Sequence, residues 1–351
     1  GEPLEAAQWL PQLQALQTTA LGEALPVQLM LAPSVVPLTR WQRPAQHAAL
    51  QDALHSSARI DKSWTIASFS RLTRDLSSQP VLQSAWHMAT PRPADDEPVV
   101  DEVALPASAV LAPWHSFARG PSAGNFLHDQ LEWLAADHFA LQPGTPQAER
   151  LAKRCERAGY KAQAADVVQW LARVVAQPLR GPDAPLNALG TLLPEMEFWL
   201  PAARLHAKEV DALCRQHLLP GVSRPQLPDA QLHGMLMGFA DLVFEHEGRY
   251  WVLDYKSNHL GEGDAAYTAP ALDAAMAHHR YEVQAALYML ALHRLLRARL
   301  GDAYDPAAQL GGAVYLFLRG IDGPAGGCCT LPAPVALLDA LDAMMTPEEA
   351  A

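Results

Sequence analysis

Apolar residues recur at helical spacing in Phe126, Leu127, Leu131 and Leu134, which predicts a helix that Ser122 or Asn125 can cap. A second helical pattern runs from about Pro146 to Ala176, with Lys153, Arg154, Arg157 and Lys161 outward, until Pro178, Pro182 and Pro185 close the region. Residues 233 to 256 change to strand character around a turn at Glu247-Gly248. Tyr281 to Leu300 predicts a long helix ended by Gly301, and Gly312 to Leu318 is a continuous apolar run with the length of a buried strand. Val335 to Met345 predicts a last helix, and Trp64 to Ser70 a short strand or helix entry. Helical patches at Leu10 to Leu16 and His47 to Leu54 are broken by prolines. The order helix, helix, hairpin, helix, strand, helix implies an α/β or α+β domain with a small mixed sheet.

Composition narrows the class. With 351 residues, half of them hydrophobic and 18% charged, the chain can bury a large core, so wholesale disorder is excluded. No apolar run approaches the ~18 residues of a membrane span, and the N-terminus lacks a basic and then apolar export signal, so a cytoplasmic location is expected. The formal charge of −12 argues against a protein that simply coats nucleic acid, yet it is compatible with a local basic groove. Lys153, Arg154, Arg157, Lys161, Arg294, Arg297 and Arg299 are candidates for such a surface, the plainer reading being solvated helix faces. Cys155, Cys214, Cys328 and Cys329 contain no Cys-x-x-Cys pair and are read as reduced, indifferent thiols. Prolines crowd residues 80–121 together with Asp95, Asp96, Glu97, Asp101 and Glu102, which predicts an irregular or mobile connection. No phosphate loop occurs, so no ATP site is expected here.

The hairpin is the densest concentration of candidate chemistry. A two-residue Glu247-Gly248 loop sets His246 opposite Arg249, Phe244 opposite Trp251 and Leu242 opposite Leu253. The same register brings Asp241 opposite Asp254, with Cβ atoms ~5 Å apart, and a one-residue slip would separate them. Two facing carboxylates in an apolar hairpin are costly unless a cation joins them, and hard oxygen donors favour Mg²⁺ or Mn²⁺. Lys256 falls on the face of Asp254, where its ammonium can meet a phosphate or a metal-bound water; a charge cluster with Lys256 as counter-ion is the alternative. His128 lies at the edge of its helix's apolar stripe, able to reach a site or to serve as a satisfied structural residue. Gln284 and Tyr288 share a helix face as a polar seam, and Glu195 has no claim from pattern alone.

Longer stretches resemble a known family. Gly238-Phe239-Ala240-Asp241-Leu242-Val243-Phe244, Leu253-Asp254-Tyr255-Lys256-Ser257-Asn258 and Tyr281-x-x-Gln284-x-x-x-Tyr288 are similar to nuclease motifs of the RecB family, the beta subunits of exodeoxyribonuclease V. Ala291 to Arg294 and Gly311 to Gly320 extend the likeness, as do Phe117 to Gly120 with Gly124 to His128, Glu195 to Phe198, and Trp64 to Leu72. The resemblance implies a restriction-endonuclease-like fold of the PD-(D/E)xK type: a small mixed sheet flanked by helices, with an irregular or helical N-terminal extension. Residues 64–345 would be the nuclease domain, 1–63 the end of a helicase region or a linker, and 346–351 a tail. It further implies that His128, Asp241, Asp254 and the Tyr255 carbonyl bind Mg²⁺, with Mn²⁺ an alternative and Ca²⁺ occupying the site without supporting cleavage. Lys256 would orient or activate water, with Gln284, Tyr288 and Glu195 completing the catalytic set. The implied activity is exonuclease and endonuclease cleavage of unwound single strands by a RecBCD-type helicase-nuclease in double-strand break repair. The implied partners are DNA, RecC- and RecD-type subunits and RecA, with no membrane. A non-catalytic docking module of the same complex is the rival reading, and a hydrolase of another phosphoester a third. A scaffold has no physical need for opposed carboxylates, which disfavours the rival.

Overall fold

The computed structural model describes residues 64–69 and 112–346, together with Pro11 and Ala15. The patches expected before residue 60, those two positions apart, lie outside the described residues. So do most of the proline-rich 80–121 stretch and the tail after residue 346.

In chain order the elements are β1 (Thr65–Ala67), α1 (Pro113–Ser116), α2 (Pro121–Ala135), α3 (Pro146–Arg157), α4 (Ala164–Ala176), β2 (Thr191–His206), α5 (Ala207–His217), β3 (Gln231–His246) and β4 (Arg249–Lys256). They continue with α6 (Ala269–His278), α7 (Tyr281–Leu300), α8 (Pro306–Gln309), β5 (Leu310–Phe317), β6 (Cys328–Leu331) and α9 (Val335–Met345). Among the described residues six strands form one mixed sheet, in which β2–β3, β3–β4 and β5–β6 are antiparallel and β1–β3 and β4–β5 are parallel. One apolar core lies between the sheet and α7 with α5, α6 and α9; a second lies between the other face and α2, α3 and α4. This is the expected mixed sheet flanked by helices.

Two expectations are corrected. The single helix expected from Pro146 to Ala176 is two helices, parted where Gly159 takes φ +92°, a conformation open to glycine. Neither Ser122 nor Asn125 caps α2, because the cap lies at Gly120, two residues before Ser122, with Pro121 in the first turn. β2, α5, α6 and β6 are additional to the sequence pattern. β2 was obscured by Pro194 and Pro201, which are tolerated because this strand pairs with β3 alone among the described strands and so sits at a sheet edge. The Ala-rich α6 has almost no amphipathic contrast to read.

All four thiols are buried. Burial pushes Cys155 up to about 11 and raises Cys214, Cys328 and Cys329 as well, so thiolate is scarce at neutral pH. Alkylation by a maleimide at pH 7 should therefore leave the folded chain unmodified and label it fully once denatured. Rapid native labelling, read by mass spectrometry, would contradict this burial.

Candidate active site

The hairpin pairs as its sequence predicts for Leu242 with Leu253, Phe244 with Trp251, and His246 with Arg249, but the expected Asp241–Asp254 pair is not part of the ladder. Glu247 and Gly248 both take positive φ, +51° and +76°, in the manner of the tight turns that match strand twist. The Gly248 N–H donates to Glu245 Oε1 at 2.7 Å, which steadies the turn.

Ladder pairing between β3 and β4 stops at Leu242–Leu253. Beyond it the Tyr255 N–H donates to Asp241 Oδ2 at 2.9 Å, so a side chain takes the place of a backbone partner. His128 Nδ1, arriving on α2, stands 3.1 Å from the same oxygen. Its ring meets Tyr255 edge-on at 5.9 Å. Burial of Phe126, Leu127, Leu131 and Leu134 fixes the rotation of α2, and this is what delivers His128 to the strand ends.

A change of face occurs at the same level. On β2 and β3 the even-numbered residues Leu192, Leu242 and Phe244 pack in the second core, whereas Met196, Phe198, Leu236 and Ala240 pack in the first. The switch falls where Pro194 pairs with Leu242 and Met196 with Ala240, so Glu195 stands level with Asp241. Glu195 has φ +48°, a strained conformation for a non-glycine residue within a strand. Asp241 thus sits at a seam between the two cores, reachable from α2 on one side and from β4 on the other.

Asp254 pairs with Tyr315 and Lys256 with Phe317 along β5. The Lys256 side chain is 1% exposed, and its Nζ lies 2.8 Å from Asp254 Oδ2. The ammonium also lies 4.1 Å from the Tyr281 ring centre and 5.6 Å from that of Tyr315, contacts that lower the cost of holding a cation away from water. Tyr315 donates to Gln284 Oε1 at 3.0 Å, and Gln284 Nε2 donates to Tyr288 at 2.9 Å, so the polar seam on α7 is anchored to β5. Tyr281, Tyr315 and Arg319 are contributors that residue pattern left unassigned. Buried Arg319 donates to the carbonyls of Ser257 at 2.8 Å and Ala118 at 2.7 Å, tying the approach to α2 to the chain just past Lys256. Its signal was a charged residue closing a continuous apolar run.

The two buried carboxylates and the imidazole are each donors of the kind a hard divalent ion accepts. Among the described residues, no three His, Cys, Asp or Glu side chains are already gathered as a metal-holding group. His128 and the Tyr255 N–H engage Asp241, and Lys256 engages Asp254. Of the basic positions, Arg294 and Arg297 are bound to Asp342, and Arg154 donates to Gln130 Oε1 at 2.6 Å and lies over Trp133. Lys153, Arg157, Lys161 and Arg299 are exposed. No helix among the described residues is long and apolar enough to cross a membrane.

The chain is 44% identical over 245 residues, 67% of its length, to the RecBCD enzyme subunit RecB of Escherichia coli (strain K12). Identity is 32% over 329 residues, 83% of the chain, to the subunit of that name from Mycobacterium tuberculosis, and 35% over 218 residues, 58% of the chain, to that of Haemophilus influenzae. The chain spans only 20%, 29% and 17% of the length of these three relatives. The model of the PD-(D/E)XK nuclease superfamily matches residues 107–326, a span that holds His128, Asp241, Asp254 and Lys256. The chain therefore belongs to the PD-(D/E)XK nuclease superfamily, as a RecB-like nuclease region.

Proposed function

We propose that the chain hydrolyses DNA phosphodiester bonds with a divalent ion, Mg²⁺ or Mn²⁺, held by Asp241, Asp254, His128 and the Tyr255 main-chain carbonyl. The observation that carries this reading is the buried Lys256 ammonium paired with Asp254, beside strand ends where Asp241 meets His128. Such a cation, when bound, acidifies a water and offsets charge on the phosphate. The residues of the chain supply the rest. His128 and the Tyr255 N–H orient Asp241, and Asp254 aims Lys256. The ammonium can then hold the attacking water and stabilise the phosphorane oxygens as negative charge develops. Gln284 and Tyr288 support this face of α7 or touch the DNA backbone, and Glu195 completes the acidic set at the level of Asp241.

The substrate in this reading is single-stranded DNA delivered by a helicase, in a RecBCD-type assembly with RecC- and RecD-type subunits and with RecA as a downstream partner. Ca²⁺ would occupy the site without supporting cleavage, and this region would have no ATP site. A docking-only module finds support in exposed Trp64, Ile66, Leu193 and Trp199. It leaves unexplained a lysine buried beside an aspartate. Digestion of end-labelled single-stranded DNA by this chain in Mg²⁺, abolished by a chelator, is the expected result. Absence of cleavage with Mg²⁺ or Mn²⁺, both alone and with the partner subunits added, would leave docking as the better account.

A further inference from the structure

A second feature lies beside the lysine and takes no part in the chemistry above. Where α6 gives way to α7, an open cleft of about 510 Å³ is lined by Ser223, Leu260, Ala271, Ala274, His278 and His279. Apolar side chains, a serine and imidazole rings make up this wall, and among the described residues no carboxylate lines it. The His279 ring stacks on Tyr281 with centres 5.1 Å apart and planes 16° apart, while the His278 and His279 rings stand nearly perpendicular, 87°, with centres 5.0 Å apart. Tyr281 in turn stacks on Tyr315 at 5.9 Å. Since Tyr281 is also the ring beneath the Lys256 ammonium at 4.1 Å, the His279 ring lies no more than about 9 Å from that ammonium. Leu260 adds a second link, being four residues beyond Lys256 along the chain.

We propose that this cleft is a nucleobase subsite, in which a base of single-stranded DNA next to the scissile phosphate stacks against His279. The inference rests on the nucleolytic function proposed above and adds how the strand is gripped beside it. Base stacking on an aromatic platform is tolerant of sequence and needs a flat π-surface with small neighbours rather than a set of hydrogen-bond donors. The cleft has that chemistry, and the lack of carboxylates among its described lining residues spares the approaching phosphates repulsion. The shared Tyr281 makes the platform continuous with the catalytic lysine, so an occupied subsite would set the register of the strand on the site. Duplex DNA, whose bases are already stacked, gains nothing from it.

The test compares the full chain with His279→Ala and His279→Phe on a single-stranded oligonucleotide in Mg²⁺, and repeats binding in Ca²⁺. His279→Ala should raise KM and the Ca²⁺-state Kd by about 5- to 100-fold with kcat within about threefold, and His279→Phe should restore both. An abasic nucleotide moved along the oligonucleotide should weaken wild-type binding at one register, and His279→Ala should abolish that penalty. A structural role alone would not remove a position-specific penalty. Equal abasic sensitivity at every position in the wild type, or an unaltered KM and Kd in a folded His279→Ala, would overturn the subsite while leaving the nuclease standing. Failure of the wild type to cleave single-stranded DNA, both alone and with the partner subunits added, would overturn the nucleolytic function itself, and the subsite with it.

Discussion

Lys256→Ala is expected to slow phosphodiester cleavage by ~10²-fold or more, about 2.7 kcal/mol of lost transition-state stabilisation, while divalent-metal affinity stays largely intact. The ammonium is almost wholly buried, 2.8 Å from Asp254, and rests on the Tyr281 ring. A cation fixed this way pays little reorganisation when charge develops on the phosphate, and alanine cannot replace it. In the proposed ligand set the metal donors are oxygens and an imidazole, none of them on residue 256, so binding of Mn²⁺ by calorimetry should change little. The effect should fall on kcat more than on KM, because the ammonium counts most when the phosphate oxygens carry extra charge. Removing a buried partner of a carboxylate also costs stability, so each assay needs the thermal midpoint of the variant beside it. Turnover unchanged from wild type in a folded Lys256→Ala would remove the lysine from the mechanism.

How much of this site could be read from sequence depends on where each residue sits relative to a repeating pattern. The hairpin register was legible because two hydrophobic pairs and a short turn agree on one alignment. Lys256 was legible as a neighbour of Asp254 because strand periodicity is strict over two residues. The termination of pairing at Leu242–Leu253 was not, since nothing local announces that a carboxylate will accept the next backbone N–H. The change of core at Glu195 and Asp241 was hidden too: even-numbered positions stay apolar on both sides of it, and only the identity of the covering helix changes. Helix periodicity placed His128 at the margin of its stripe, but its meeting with Asp241 depends on contacts more than a hundred residues apart in sequence. Pattern left Tyr281 and Tyr315 unassigned, because their place against the Lys256 ammonium joins segments distant in the chain. The burial of Arg280 and Arg319 was not legible either, because it is decided by acceptors that arrive from distant segments.

Arg280→Met should destabilise the fold by about 3–5 kcal/mol, a large share of the marginal stability of a domain. Arg280 precedes α7 in a left-handed conformation, φ +59°, and its side chain is fully buried. Its guanidinium donates to Asp211 Oδ1 at 2.6 Å, to Glu282 Oε1 at 2.8 Å and to the Pro225 carbonyl at 2.8 Å, joining α5, the 224–227 segment and the start of α7. Arg215 also holds Asp211, and Arg224 lies 3.3 Å from Glu282, but neither reaches both carboxylates. Methionine fills much of the volume and leaves the two acids short of a shared partner, which isolates the charge effect from a simple cavity. Acid should expose the same network. Burial alone would raise the Asp211 carboxyl, yet the hydrogen bond and charge of Arg280, joined by the Leu227 N–H and Arg215, together hold the group below its ordinary 3.8. A depressed carboxyl contributes stability above that value and loses it as pH falls through the lower folded one. Wild type should therefore shed stability below about pH 4 more steeply than Arg280→Met, and Asp211→Asn in the Met background should recover part of the loss. Urea unfolding at pH 7 and pH 3.5 reads both effects. A loss under about 1 kcal/mol at pH 7, or parallel acid slopes, would show that the network contributes little. Because α7 carries Gln284 and Tyr288 and opens with Tyr281 beneath Lys256, a loosened helix start should lower cleavage as well. That loss should shrink on cooling toward the temperature of maximum stability, whereas the deficit of Lys256→Ala should persist at every temperature.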